Sequence, residues 1–282
     1  MSSRSVIGAD LGGTKLAIVR YDAETWEPQQ STVVPTEAER GFPAVFETLI
    51  EQIEAHRRPD TVGVGIGVPG LVHQPDGHLL NAPNLPGARD VPLKAMLEDR
   101  LRLPVALEND ARSFTLAEAL LGAGKGHRVV VGVTLGTGVG GGIVMDGGIL
   151  HGENGYAGEI GHMLLQPGQA PFPVDERQGE VEQFLSGTAI RKRGASAEEP
   201  PATLAKEAAW LCLNLTYLLN PSVIVIGGGV AKAVTARLAD VERELKALVL
   251  PGIPLPQLVA AQLSDAGAMG VALLALSAAE NG

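Results

Sequence analysis

Asp10-Leu11-Gly12-Gly13-Thr14-Lys15 joins two short apolar runs, Ser5 to Leu11 and Lys15 to Tyr21. That is the pattern of a β-hairpin closed by a tight glycine turn. A displacement of 124 residues lays Asp10-Leu11-Gly12 on Thr134-Leu135-Gly136 and carries Val19 to Ile143 and Asp22 to Asp146. Strand, glycine turn, strand and Asp follow in the same order in both copies, as expected of two related lobes. The second copy runs on as Thr137-Gly138-Val139-Gly140-Gly141-Gly142. Glycine turns expose successive backbone N–H groups with no side chain in the way, which is what a phosphate chain needs. Neither loop ends in Gly-Lys-Ser/Thr, so neither is a Walker A loop. A facing pair of such hairpins would hold β- and γ-phosphates from opposite sides of a cleft, with Asp10 placed to orient hydrated Mg²⁺.

Around these turns, strands alternate with helices. A third strand is expected near Thr32 to Pro35, and Phe42, Val45, Phe46, Leu49, Ile50 and Ile53 lie on one face of a helix. Val62 to Val68 is a glycine-laced strand, followed by a helix over Leu93 to Leu101, a strand over Val105 to Leu107 and a helix over Ala111 to Leu121. The second half predicts a helix over Leu204 to Leu219, a strand over Val223 to Ile226, a helix over Val230 to Leu248 and a terminal helix over Ala268 to Ala279. The uncharged run Ala208 to Ala231 has a membrane span's length, but Asn220-Pro221-Ser222 breaks it and Gly227-Gly228-Gly229 closes it. It reads as a buried helix, a turn and a buried strand.

With 282 residues, 45% of them apolar and 19% charged, the chain is globular and long enough for one large or two ordinary domains. A net charge of −10 leaves no basic field for nucleic acid or an anionic membrane. Cys212, the one cysteine, excludes an internal disulfide framework and a cysteine-based zinc knuckle, and fits a cytoplasmic protein. Residues 1 to 9 hold no long apolar segment, so no secretory signal is expected.

Glu108-Asn109-Asp110-Ala111 falls where a strand gives way to a helix. Taken alone it reads first as a helix cap, and with that compatibly as a carboxylate that accepts a hydroxyl proton during phosphoryl transfer. Asn81-Ala82-Pro83-Asn84-Leu85-Pro86-Gly87 reads as a polar loop, and Pro69-Gly70 is a turn signal. Glu159 and His162 stand three apart, but the intervening Gly161 favours a loop over a helix.

Taken in order, these motifs, with Gly158-Glu159-Ile160-Gly161-His162 and Gly227-Gly228-Gly229, resemble the ROK family of sugar kinases. That family belongs to the superfamily of actin, Hsp70 and hexokinase. The resemblance implies an α/β, two-lobed actin-like (ribonuclease H-like) fold around a cleft, with a small lobe of 1–109 plus 268–282 and a large lobe of 110–267. It implies ATP and Mg²⁺ as cofactors and a hexose, glucose first, phosphorylated at its C6 hydroxyl. On this resemblance Asp110 is the base, and Gly70, Asn84, Asn109, Glu159, His162 and Glu182 bind the sugar. Asp10, Gly12, Gly13, Thr14, Lys15, Gly136, Thr137 and Gly138 take the phosphates, and Gly228 and Gly229 lie by the adenosine.

N-acetylglucosamine, N-acetylmannosamine, fructose or allose are the alternative substrates. A sugar-sensing regulator is disfavoured, because relatives of that kind carry a DNA-binding helix-turn-helix ahead of the first turn, where this chain has nine residues. Relatives imply a homodimer. Family members also carry a zinc motif, Cys-x-Cys-Gly-x-x-Gly-Cys-x-Glu. Here that stretch reads Pro173-Val174-Asp175-Glu176-Arg177-Gln178-Gly179-Glu180-Val181-Glu182, so no structural zinc is expected. The loop is expected to hold itself by packing around Phe172, Phe184 and Leu185.

Overall fold

A computed structural model describes residues 4–74, 76–174 and 176–281. In chain order its elements are β1 (Ser5–Leu11), β2 (Lys15–Asp22), β3 (Pro28–Pro35), α1 (Phe42–His56), β4 (Thr61–Val68), β5 (Leu71–His73), β6 (His78–Asn81), β7 (Arg89–Val91), α2 (Leu93–Leu101), β8 (Val105–Asn109) and α3 (Asp110–Leu120). Then come β9 (Val129–Leu135), β10 (Val139–Met145), β11 (Gly148–Ile149), α4 (Glu182–Leu185), α5 (Gly187–Lys192), α6 (Leu204–Leu219) and β12 (Val223–Gly227). The chain ends with α7 (Lys232–Thr235), α8 (Leu238–Leu248), β13 (Gln257–Ala260) and α9 (Ala266–Asn281). The chain divides into two compact units, Met1–Ala117 with His151–Tyr156 and Ser264–Gly282, and Glu118–Leu150 with Ala157–Leu263.

In the first unit one sheet runs in the order β3-β2-β1-β4-β8. The pairs β1/β2 and β2/β3 are antiparallel, while β1/β4 and β4/β8 are parallel. Strand β4 reads Gly63-Val64-Gly65-Ile66-Gly67-Val68, and side chains alternate across a strand, so one face is apolar and the other bare. Val64, Ile66 and Val68 enter a core with Phe46 and Leu49 of α1 and Leu97 of α2.

The bare face receives α9. A Cβ on Gly8 would lie 1.9 Å from the Ala268 carbonyl oxygen, and one on its register partner Gly65 would lie 1.9 Å from the Val271 oxygen. Helix α3 is pressed against α9 in the same way, with Gly270 facing the Ser113 carbonyl at 1.9 Å. The division between units falls inside α3, after Ala117, and not ahead of Asp110.

The second unit repeats the first sheet: β11-β10-β9-β12-β13, again antiparallel on the β10 side and parallel on the β12 side. The displaced hairpin match therefore corresponds to two sheets with one strand order. Leu211, Cys212 and Leu215 of α6 and Val241 and Leu245 of α8 pack with Ile224 and Ile226 of β12.

One expectation changes. The single helix over 230–248 is two, α7 and α8, because Arg237 leaves helical geometry at φ −126. Val234, Val241 and Leu245 keep one buried face across the break, so periodicity alone does not reveal it. Asn81 ends β6, and the expected polar loop after it joins β6 to β7 in a small antiparallel sheet, β5-β6-β7. That sheet and β13, which closes one edge of the second sheet, have no counterpart in the expectations.

Overpacking by one methyl costs roughly 1–3 kcal/mol in a core that can relax. Gly65→Ala meets fixed backbone at 1.9 Å, so its melting temperature should fall by at least that equivalent. Gly229→Ala, with nothing within 4 Å of the added carbon, should melt like the parent. Equal melting temperatures for all three proteins would refute this close packing.

Candidate functional site

In the first unit the predicted residues gather at the carboxyl ends of the parallel strands β1, β4 and β8, where open α/β sheets bind ligands. The first glycine turn is closed by the Gly12 N–H donating to the Lys15 oxygen at 3.0 Å, and the Thr36 hydroxyl donates to the Gly12 oxygen at 2.6 Å. Thr14 and Lys15 are exposed at its tip. Asn84 lies over the turn, where a Cβ on Gly13 would come within 2.9 Å of the Asn84 Cβ. Gly70 takes φ +97 with no room for a side chain, since a Cβ would meet the Asn81 oxygen at 2.1 Å.

Asn109 performs the capping. Its Oδ1 accepts from the Ala111 and Arg112 N–H groups at 3.0 and 3.1 Å, and its Nδ2 donates to the Gly70 oxygen at 3.1 Å. One amide N–H then remains for a ligand. With the cap supplied by its neighbour, Asp110 stands as the first residue of α3, half-buried, its Oδ1 accepting the Ala111 N–H at 2.8 Å.

Beneath this corner lies a charge network not foreseen from sequence. Glu108 is fully buried and accepts from the Asn109 N–H at 2.7 Å, from Arg112 Nε at 3.0 Å and from His151 Nε2 at 2.5 Å. Arg112, also buried, donates to the Gly155 oxygen at 2.5 Å. Arg112 stands four residues after Glu108 across the β8–α3 junction, so nearness along the chain is the signal for that pair. His151 is 43 residues away and has none.

Asp10 ends in a tight place. Gly267, in the first turn of α9, faces its carboxylate so closely that a Cβ would sit 2.6 Å from Oδ2. Burial, reinforced by the negative charge of Asp110 and opposed by Lys15, pushes the Asp10 carboxyl up to about 7. Nearby, the buried Tyr21 hydroxyl donates to Asp265, just ahead of α9.

In the second unit the other predicted residues meet around the β9–β10 turn. The Gly136 N–H donates to the Gly138 oxygen at 2.9 Å, and the Gly136 oxygen accepts the Gly187 N–H at 2.8 Å. Thr137 is exposed at the tip. Glu182 accepts the Val139 N–H at 2.9 Å and occupies the place of a side chain on Gly138, whose Cβ would lie 2.3 Å away. One Glu182 oxygen thus anchors the turn.

Glu159 precedes a single 3₁₀ turn, Ile160–His162. Gly161 holds that turn against β10, with 2.1 Å between its notional Cβ and the Val139 oxygen. His162 pairs with Glu180, at 3.1 Å, and not with Glu182. Gly228, at φ +98, packs on the backbone of Leu135, while Gly229 faces open space.

The donor set does not fit the family's zinc. Pro173 offers no ligand, Asp175 lies outside the described residues, and Glu180 is engaged with His162. Cys212 is buried inside α6, where burial pushes its thiol up to about 12. Structural zinc wants a closed, sulfur-rich tetrahedron. Phe184 and Leu185 of the loop are buried as expected, whereas Phe172 is half-buried beneath the Lys192 ammonium, 4.7 Å from its ring centre.

The raised Asp10 carboxyl has a consequence for stability. An acid whose folded value lies above its unfolded value of 3.8 favours folding below about pH 4, and that contribution is lost as pH rises through about 7. Asp10→Asn removes the buried charge. In ligand-free protein its melting temperature should gain on the parent's by several degrees between pH 5 and pH 8. A difference that stays constant over that range would contradict the assigned burial.

The model of the ROK family matches residues 6–204 and 195–278 of the chain. A glucokinase of Halalkalibacterium halodurans is 34% identical, with 90% of this chain and 88% of that protein covered. An N-acetyl-D-glucosamine kinase of Citrobacter koseri is 35% identical over 96% of this chain and 99% of its own length. Among solved structures, a ROK family glucokinase from Streptomyces griseus in complex with glucose and AMPPNP is 30% identical with a TM-score of 0.81, covering 97% of this chain and 99% of that one. The fold is the two-lobed, actin-like α/β fold, and the chain belongs to the ROK family.

Proposed function

We propose that this protein transfers the γ-phosphoryl group of ATP to the C6 hydroxyl of a hexose, glucose first, yielding the hexose 6-phosphate and ADP. The observation that carries the proposal is the acid pair Asp10 and Asp110, at the ends of β1 and β8 in the unit that holds the Gly12-Gly13 turn. Glucokinases among its relatives support the substrate.

Asp110, at the start of α3, accepts the C6 hydroxyl proton as that oxygen forms its bond to the γ-phosphorus and the bond to the β-phosphate oxygen breaks. Asn84 with its amide, Asn109 with its remaining N–H, Gly70 with its backbone, and Glu159, His162 and Glu182 offer paired donors and acceptors to the other sugar hydroxyls. Thr14, Lys15 and Thr137, exposed at the two turns, and the N–H groups of Gly12, Gly13, Gly136 and Gly138 receive the phosphates. Gly228 and Gly229 leave a side-chain-free surface for the adenosine. Mg²⁺, when bound, supplies charge neutralisation on the phosphate oxygens. Asp10 is the residue that would hold it, since a carboxylate beside a cation ionises readily.

N-acetylglucosamine is the second substrate reading, favoured by relatives of that activity at the same level of identity. The net charge of −10 supports a partner set without nucleic acid or anionic membrane. A cytoplasmic homodimer rests on the family resemblance.

An ATP-coupled assay across glucose, N-acetylglucosamine, N-acetylmannosamine, fructose and allose should give the highest kcat/KM with glucose. Asp110→Asn should lower kcat about 10²- to 10⁴-fold while glucose binding by calorimetry changes little. Near-parental turnover in this variant would return Asp110 to the role of a helix residue.

A further inference from the structure

The turn at 177–183 is built around one amide and one carboxylate. Gln183 Oε1 accepts the N–H groups of Gly179 at 2.7 Å and Glu180 at 3.2 Å, and its Nε2 donates to the Arg177 oxygen at 2.5 Å. Gly179 takes φ +100 directly under the Gln166 carbonyl, 1.9 Å from its notional Cβ, so no other residue fits there. Backbone bonds then stitch the turn to the His162 segment, from Leu165 N–H to the Gly179 oxygen at 2.7 Å and from Val181 N–H to the Met163 oxygen at 2.9 Å. Glu180 forms an antiparallel bridge with Leu164 and is buried, with the Arg177 guanidinium 3.6 Å from its Oε1. Its Oε2 lies 3.1 Å from His162 Nδ1.

A carboxylate can only accept, so Nδ1 must carry the proton in this bond. The other nitrogen, Nε2, then keeps its lone pair in the neutral ring, on a side chain 48% exposed. A metal-bound imidazole has the opposite polarity, because the metal takes one lone pair and the remaining nitrogen is an N–H donor.

We propose that Glu180 is a positioning residue that holds His162 as the Nδ1–H tautomer, so that Nε2 meets the hexose as a hydrogen-bond acceptor without any metal. The acceptor role rests on the hexose-kinase reading. The tautomer does not. The Gln183 clamp and the Gly179 turn keep the carboxylate in place, and the turn does by hydrogen bonding what a bound ion would do by ligation.

The test is ¹⁵N NMR of histidine-labelled protein, prepared without added metal and free of sugar, with His162 identified by its loss in His162→Asn. At a pH where imidazoles are neutral, the parent should show a protonated Nδ1 and an unprotonated Nε2. Glu180→Gln, whose amide oxygen still accepts, should keep that pattern. Glu180→Ala should lose it, and its Kd for glucose should rise roughly three- to tenfold, one hydrogen bond's worth, with the KM for ATP unchanged. An Nε2–H ring in the parent, or about one zinc per chain by elemental analysis, would overturn the assignment. The parent spectrum decides it even where Glu180→Ala fails to fold. A chain that binds no hexose would instead overturn the kinase reading and the acceptor role with it.

Discussion

Glycines of β1 and β4 that face α9 let the helix carbonyls rest directly on the strands. Gly8, Gly63 and Gly65 lie beneath the carbonyls of Ala268, Ala275 and Val271, and Gly270 lies against Ser113 of α3. Ordinary helix packing keeps axes 8–10 Å apart through interleaved side chains. The missing strand Cβ atoms at Gly8, Gly63 and Gly65 let the helix lie close on the strands, with Gly267 against the Asp10 carboxylate. The start of α3, with Asp110, belongs to the same unit. Burial of Asp10 and the charge of Asp110 felt there are both results of this packing.

That arrangement costs stability and prepares chemistry. A carboxyl raised to about 7 is a poor anion in the ligand-free chain. It becomes a good one when positive charge arrives, so binding a cation and ionising Asp10 are coupled. Asn109 caps α3 with its own Oδ1, while Asp110 Oδ1 accepts the Ala111 N–H. Glu108, Arg112 and His151 hold that corner from below by bonds to the backbone at Asn109 and Gly155.

Much of the fold was legible because its signals are local. The glycine hairpins, the helix face Phe42 to Ile53 and the alternation in β4 are periodic or motif-like, and each falls where expected. Strands β5, β6, β7 and β13 are only three or four residues long and have polar or proline neighbours, so pattern cannot separate them from loops. In the site, residues inside motifs were readable, and partners contributed from elsewhere were not. His151 reaches Glu108, and Glu180 rather than Glu182 reaches His162. Both partnerships depend on which strand end a distant loop returns to, and spacing along the chain carries no record of that.

The central claim is that the acid pair in this packed corner directs phosphate onto one particular hydroxyl. Incubation of the protein with ATP, Mg²⁺ and glucose labelled with ¹³C at carbon 6, followed by ¹³C and ³¹P NMR, reads that directly. The account predicts a carbon-6 resonance split by coupling to phosphorus, with ADP formed in equal amount. Phosphate on another carbon, or ATP consumed with the carbon-6 signal unsplit, would contradict it.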